Sequence, residues 1–203
     1  MVVKAKVNPI EKLRNILKDQ NGILLTSDLA NYGIPRTYLS ILEKTGEVQR
    51  VSRGVYSAAN YMIDEMVSLQ SRYKGAIFSH ETALYLLDLT DRSPLFYSLT
   101  VPARYNATSL KTSGAKVYFV NRGFYALGLK TMKSPHGNDI KTFNLERTVC
   151  DVLRSRNKMD IQFIKEVLKK YVIHKNRNIN QLYIYANQFG IQKIVREYIE
   201  LIL

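Results

Sequence analysis

The 203-residue chain contains one cysteine, Cys150, and no tryptophan. A lone cysteine excludes an internal disulfide and a cysteine-rich zinc site. The three histidines, His80, His136 and His174, stand too far apart in sequence to form a metal motif, and they read as capping, solvated or packed groups. No run of about 18 apolar residues occurs, and residues 1–13 carry neither the apolar core nor the small-residue cleavage site of a secretory signal. A cytoplasmic protein without membrane contact is expected. Acidic residues are unevenly distributed: residues 92–138 contain no Asp or Glu. This bears on catalysis. Asp139 and Lys141 have the D-x-K form of a metal-dependent nuclease strand, but the second carboxylate such a site needs shortly upstream is missing. Asp88 and Asp91 read as a helix end and a turn. No Gly-Ser dipeptide is present for a nucleotidyltransferase loop, and there is no P-loop, G-x-G-x-x-G or Ser-His-Asp arrangement. The chain is expected to be no enzyme, with no catalytic residue, metal or cofactor.

What is abundant is positive charge. Thirty Lys and Arg against 17 Asp and Glu give a net charge of +13, and 46% hydrophobic residues suffice for a substantial core. Residues 101–180 hold 16 basic and 5 acidic side chains, whereas residues 1–60 hold 9 and 5. A field of this sign attracts polyanions over long range, and each phosphate contact made by Lys or Arg releases counterions.

Residues 24–56 carry the clearest local organisation. Thr26 can cap a short helix over residues 27–32, which Gly33 ends in a left-handed conformation. A second helix follows over residues 35–45, with Pro35 in its first turn and Gly46 as its stop. Leu39 and Leu42 then share an inward face with Pro35, while Thr37, Ser40 and Lys44 face outward with Arg36 at the edge. Residues 48–51 and 55–57 flank Ser52-Arg53-Gly54 as a hairpin with Arg53 at its tip. This order is that of a winged helix-turn-helix. Arg36, Thr37, Ser40 and Lys44 are the candidate groove contacts, and Gln49, Arg50, Ser52 and Arg53 the candidate backbone contacts. A protein-interaction module without nucleic acid is the competing reading of the same pattern.

Asn8-Pro9 opens a preceding helix with the stripe Ile10, Leu13, Ile16 and Leu17, and residues 23–25 suit a short strand beside the hairpin. The first domain is therefore residues 1–60, and residues 61–203 form the second. In the latter, residues 62–73 show helical spacing of apolar residues, with Met62 and Ile63 on the apolar face, and residues 75–78 suit a strand. Ser79 can cap a helix over residues 80–87. Residues 95–101 and 116–120 read as strands, and residues 127–134 and 139–143 pair across the turn Pro135-His136-Gly137-Asn138. Residues 121–125 fit no pattern. Asn144 caps a helix in which Arg147 and Asp151 can pair at i,i+4 and Cys150 reads as a small buried hydrophobe. Asp160 caps another, with Ile161, Ile164, Val167, Leu168 and Tyr171 inward. Two helices over residues 180–188 and 191–201, split by Gly190, end the chain. The fold class is α+β: a winged unit followed by a larger mixed α/β domain ending in helices. Lys111, Lys116, Arg122, Lys130, Lys133 and Lys141 are candidate nucleic-acid contacts of that second domain.

At residues 79–102, SHETALYLLDLTDRSPLFYSLTVP, and 143–154, FNLERTVCDVLR, the chain resembles the AbiEi family, the antitoxin half of abortive-infection AbiE systems. The order of an N-terminal winged unit, an SHxTAL helix, an LTVP strand and an ERTxCD helix covers about the whole chain. The resemblance implies a repressor that binds inverted repeats in double-stranded DNA upstream of its own operon. It also implies a C-terminal domain that antagonises a nucleotidyltransferase toxin in phage defence without a stable complex. The alternatives are direct neutralisation of a toxin through the apolar tail, and a general DNA- or RNA-binding regulator.

Overall fold

The side-chain oxygen of Asn8 accepts from the Ile10 amide, and Pro9 occupies the first turn, so helix α1 (Pro9–Asp19) starts where its chemistry allows. In the computed structural model, which describes residues 8–202, two compact units emerge. The first comprises residues 8–74 together with Met132–Ile140, and the second comprises Gly75–Thr131 with residues 141–202. The helix after residue 60 and a distant turn both group with the N-terminal segment. The fold is mixed α+β, with two sheets and many helices.

In the first unit α1 is followed by strand β1 (Ile23–Leu25), helix α2 (Thr37–Lys44), and strands β2 (Val48–Ser52) and β3 (Val55–Ala58). The sheet has the order β1-β3-β2 and is antiparallel throughout. Leu13, Ile16 and Leu17 of α1 bury their stripe against Leu24, Leu29, Ile34, Leu39, Leu42 and Val48. Between β1 and α2 the expected helix over residues 27–32 is absent. The backbone instead forms consecutive tight turns, with amides of Asp28, Asn31, Tyr32 and Gly33 each bonded three residues back. Bonds to the third residue back close separate tight turns and do not propagate as an α-helical ladder. Thr26 does not free this segment either, because its own amide donates to Gly54 O in the hairpin (2.9 Å). Lys12 Nζ and the Gln20 amide, which donate to Tyr32 O and Tyr32 Oη, hold the turns against α1. Helix α2 begins at Thr37, two residues later than expected, and Pro35 is exposed while Ile34 is buried.

Helix α3 (Glu65–Arg72) completes this unit's N-terminal segment. It starts at Asp64, whose carboxylate caps the Met66 and Val67 amides, rather than at residue 62. Met62 and Ile63 are consequently outside the helix and exposed, at 77% and 41%. The missed signal was the Asp64-Glu65 pair, an acidic cap followed by an acidic first turn.

The other sheet's strands β4 (Ile77–Phe78), β5 (Ser98–Pro102), β6 (Lys116–Val120), β7 (Leu129–Lys133) and β8 (Asp139–Phe143) have the order β6-β5-β4-β8-β7. Pairing is antiparallel between β4 and β5 and parallel between β5 and β6 and between β4 and β8. Helices α4 (His80–Leu86), α5 (Thr108–Thr112), α6 (Arg122–Tyr125), α7 (Leu145–Arg154), α8 (Ile161–Ile173), α9 (Ile179–Gln188) and α10 (Gln192–Glu200) follow in chain order. Residues 121–125, which fit no pattern in sequence, form the one-turn α6 because Asn121 accepts from the Gly123 amide. Asn144 and Asp160 cap α7 and α8 as expected, accepting from Arg147 N and Phe163 N. Ile161 departs from its inward assignment and is 44% exposed.

The ERTxCD helix α7 is the hub of the second unit, in contact with α4, α8, α9 and α10. Arg147 is fully buried. It donates Nε to Asp151 Oδ2 (2.9 Å) and Nη1 to the carbonyls of Phe124 and Leu127 (both 2.7 Å). Its guanidinium lies over the rings of Phe143 (4.2 Å) and Phe189 (4.7 Å). Gly128 permits this passage: a Cβ there would stand 2.6 Å from Arg147 Cβ, and its φ is +71°. Glu146, expected only to meet the positive helix end, is buried and accepts from Asn178 N (2.8 Å). Cys150 is buried, and burial pushes its thiol up to about 12.

The SHxTAL segment also reads differently in space. Ser79 occupies the cap position of α4 without a capping side-chain bond. Its hydroxyl instead accepts from Thr100 Oγ1 (2.8 Å) and bonds His80 Nδ1 (3.0 Å). His80, at φ +48°, is buried, bonds Ser155 Oγ through Nε2 (3.1 Å), and stacks on Tyr118 with ring centroids 3.4 Å apart. Burial lowers its pKa from 6.5 to about 4, with Arg154 and Arg147 acting in the same direction against Asp151 and Glu81. Above pH 6.5 the imidazole is neutral both folded and unfolded. As pH falls from 6.5 to about 4 the unfolded chain takes up a proton that the folded chain refuses, so stability is lost across that window, by on the order of 3 kcal/mol. Urea unfolding at pH 7.5, 6, 5 and 4.5 should show this loss, and His80→Gln should flatten it. A profile as steep in the variant would contradict the assignment to His80.

Candidate nucleic-acid interface

Helix α2 directs Thr37, Ser40 and Lys44 outward at positions i, i+3 and i+7, and all three are exposed. Leu39 and Leu42 are buried on the opposite face, which fixes the helix against the core. Arg36 stands at the cap position, is exposed, and makes no side-chain capping bond. Lys44 lies in the last turn, where its charge also meets the negative helix end. Ile41, not anticipated, is 43% exposed on α2.

The β2–β3 hairpin presents Gln49, Arg50 and Arg53 to solvent. Its tip depends on Gly54, at φ +81°, where a Cβ would come within 2.9 Å of Thr26 Oγ1. Ser52 does not join these residues. A bulge between Arg50 and Ser52 advances the register by one, so Ser52 pairs with Val55. It is 8% exposed, and its hydroxyl accepts from Ser68 Oγ (3.2 Å). The expected backbone contact at Ser52 is therefore withdrawn, and strict alternation along the strand could not have revealed the bulge.

Acidic side chains also border this face: Glu43 is exposed on α2. Glu47, beside the end of α2, is held by a bidentate bond from Arg14 (2.7 and 2.8 Å). That hydrogen bond keeps the Glu47 carboxyl below its ordinary range. Arg14 and Glu47 are 33 residues apart, which is why the sequence did not pair them.

The six basic candidates of the C-terminal part differ among themselves. Lys116 pairs with Glu81 (3.0 Å) and Lys133 with Asp139 (2.9 Å), so their charges are offset locally. Lys133 also groups with the first unit rather than the second. Lys111, on α5, stands over the Phe119 ring (5.5 Å). Arg122, Lys130 and Lys141 are exposed on α6, β7 and β8. The D-x-K strand has its carboxylate committed to Lys133, and among the described residues no three His, Cys, Asp or Glu side chains come together to hold a metal ion. No helix among them is long and apolar enough to cross a membrane.

Helix α2 thus presents an exposed polar and basic face beside the exposed arginines of the β2–β3 hairpin. Residues 11–59 match the family model described as transcriptional regulator, AbiEi antitoxin. No curated protein matches the chain. Among solved structures, the chain is similar to the RV2827C protein from Mycobacterium tuberculosis, with 11% identity, 95% of this chain and 80% of that chain covered, and a TM-score of 0.47.

Proposed function

We propose that the chain is a DNA-binding repressor that autoregulates its own operon and acts as antitoxin against a cognate nucleotidyltransferase toxin. The first unit serves as a winged helix-turn-helix in which α2 lies in the major groove and the β2–β3 hairpin is the wing. The observation that carries this reading is the exposure of Arg36, Thr37, Ser40, Lys44, Gln49, Arg50 and Arg53 on those two elements, within the segment matching a family of transcriptional regulators. Thr37 and Ser40 read base edges, and the arginines with Lys44 hold phosphates. The duplex sites are inverted repeats upstream of the operon, and the toxin is countered without a stable complex. Some of Lys111, Lys116, Arg122, Lys130, Lys133 and Lys141 add phosphate contacts beyond those of α2 and the hairpin.

A gel shift with the operon's upstream DNA tests this: a shift that weakens with salt is expected, and no shift at any attainable concentration would sink the reading. A second use of the chain, direct capture of the toxin by the helical tail, is favoured by Ile173, Ile184 and Leu201, which are 79%, 52% and 76% exposed. Co-purification of the two proteins separates the two modes.

A further inference from the structure

Asp64 lies outside the groove-facing helix and the wing, yet it is 1% exposed and its two oxygens accept four hydrogen bonds. Oδ1 takes the amides of Met66 and Val67 (3.0 and 3.1 Å). Oδ2 takes Ser134 Oγ (2.5 Å) and Asn138 Nδ2 (3.0 Å), from a turn 70 or more residues away. Ser134 Oγ in turn accepts the amides of His136 and Asn138 (both 3.2 Å), which shapes the turn itself. On its other side the turn is held by Asn21, whose amide donates to Gly137 O (3.1 Å) from the residue before β1's leading Gly22. One turn further along α3, Ser68 Oγ donates to Ser52 Oγ of the hairpin (3.2 Å). One buried carboxylate thus joins a helix that packs on β2 to the turn between β7 and β8, all within the first unit.

We propose that Asp64 is a positioning residue for nucleic-acid binding: through α3 it fixes strand β2, and so the placement of Gln49, Arg50 and Arg53, and the turn at residues 134–138 is a working part of that device. This rests on the DNA-binding reading of the wing. It follows that a fragment ending at residue 60 or 74 lacks the groups that hold the wing, and that the test belongs on the full chain.

Asp64→Asn isolates the device. The Oδ1 cap of α3 remains, but the new amide nitrogen faces the Asn138 amide, donor against donor, and cannot accept from Ser134. Asn21→Gly loosens the turn from the other side without strain, because Asn21 already adopts φ +48°. In both variants amide hydrogen exchange over residues 48–56 should accelerate, while exchange in α7 and α8 stays as in the wild type. The dissociation constant for the upstream duplex should rise about tenfold with an unchanged salt slope, since no phosphate contact is removed. Adding Asn138→Asp to Asp64→Asn reverses donor and acceptor across the 64–138 bond and should recover part of both readouts, the Ser134 bond staying lost. Unchanged exchange in β2, or a dissociation constant within twofold of wild type despite faster exchange, would overturn the proposal. If the wild-type chain bound no duplex, the DNA reading would fall, and the exchange measurements would then show alone whether Asp64 holds the wing.

Discussion

Replacing Arg147 by alanine should destabilise the protein by about 3–5 kcal/mol, the range for breaking a buried ion pair by deleting one partner. The reason is the number of groups left behind. Asp151 is 2% exposed and would keep only Arg154 as an ionic partner, at 3.0 Å. The carbonyls of Phe124 and Leu127 would lose their donor, and Phe143 and Phe189 would border a cavity where a planar cation stood. Arg147→Lys should recover only part of the loss, because a single ammonium cannot reach Asp151 and both carbonyls while lying flat between two rings. Calorimetry should show the melting transition lowered by roughly 10 °C or more in the alanine variant. A change of less than about 1 kcal/mol, the size of a surface pair, would show that the cluster is not a hub of the fold.

Replacing Arg53 by alanine should leave the melting temperature unchanged and act on binding alone. Arg53 is exposed at the wing tip, and its side chain carries no bond that shapes the hairpin, which Gly54 and the Thr26 amide set. Loss of one phosphate contact should weaken binding to specific and scrambled duplexes alike, about tenfold or ~1.4 kcal/mol at low salt. It should also reduce the slope of log affinity against log salt by about 1. Thr37→Ala and Ser40→Ala should behave oppositely, keeping the salt slope and changing which base pairs are preferred. An Arg53→Ala chain that loses sequence preference without a change of slope would assign Arg53 to base reading instead.

Local chemistry decided which parts of this molecule could be read in advance. Asn8, Asn144 and Asp160 announce α1, α7 and α8 because a capping side chain acts on amides two or three residues away. The outward face of α2 was legible for a similar reason: Leu39 and Leu42 fix which side turns inward. Features that depend on distant partners were not. Thr26 has the chemistry of a cap, but its amide is used by Gly54 in the hairpin, and the following segment settles into turns. Ser79 looked like a cap and is instead one link in the chain Thr100–Ser79–His80–Ser155. Ser52 is polar near a hairpin tip and is still buried, because α3 packs on β2 and Ser68 bonds its hydroxyl. The turn at residues 134–138 was legible as a turn, but its grouping with the first unit comes from Asp64 and Asn21, which no local pattern connects to it.

Helix α2 and the β2–β3 hairpin are proposed to bind duplex DNA in a sequence-dependent way. The most direct measurement titrates the full chain against the upstream duplex and a scrambled duplex of equal length, by fluorescence anisotropy across a series of salt concentrations. Tighter binding to the upstream duplex is expected, with both affinities falling as salt rises and the preference lost when Thr37 and Ser40 are both alanine. Equal affinity for the two duplexes, unaffected by those replacements, would contradict it.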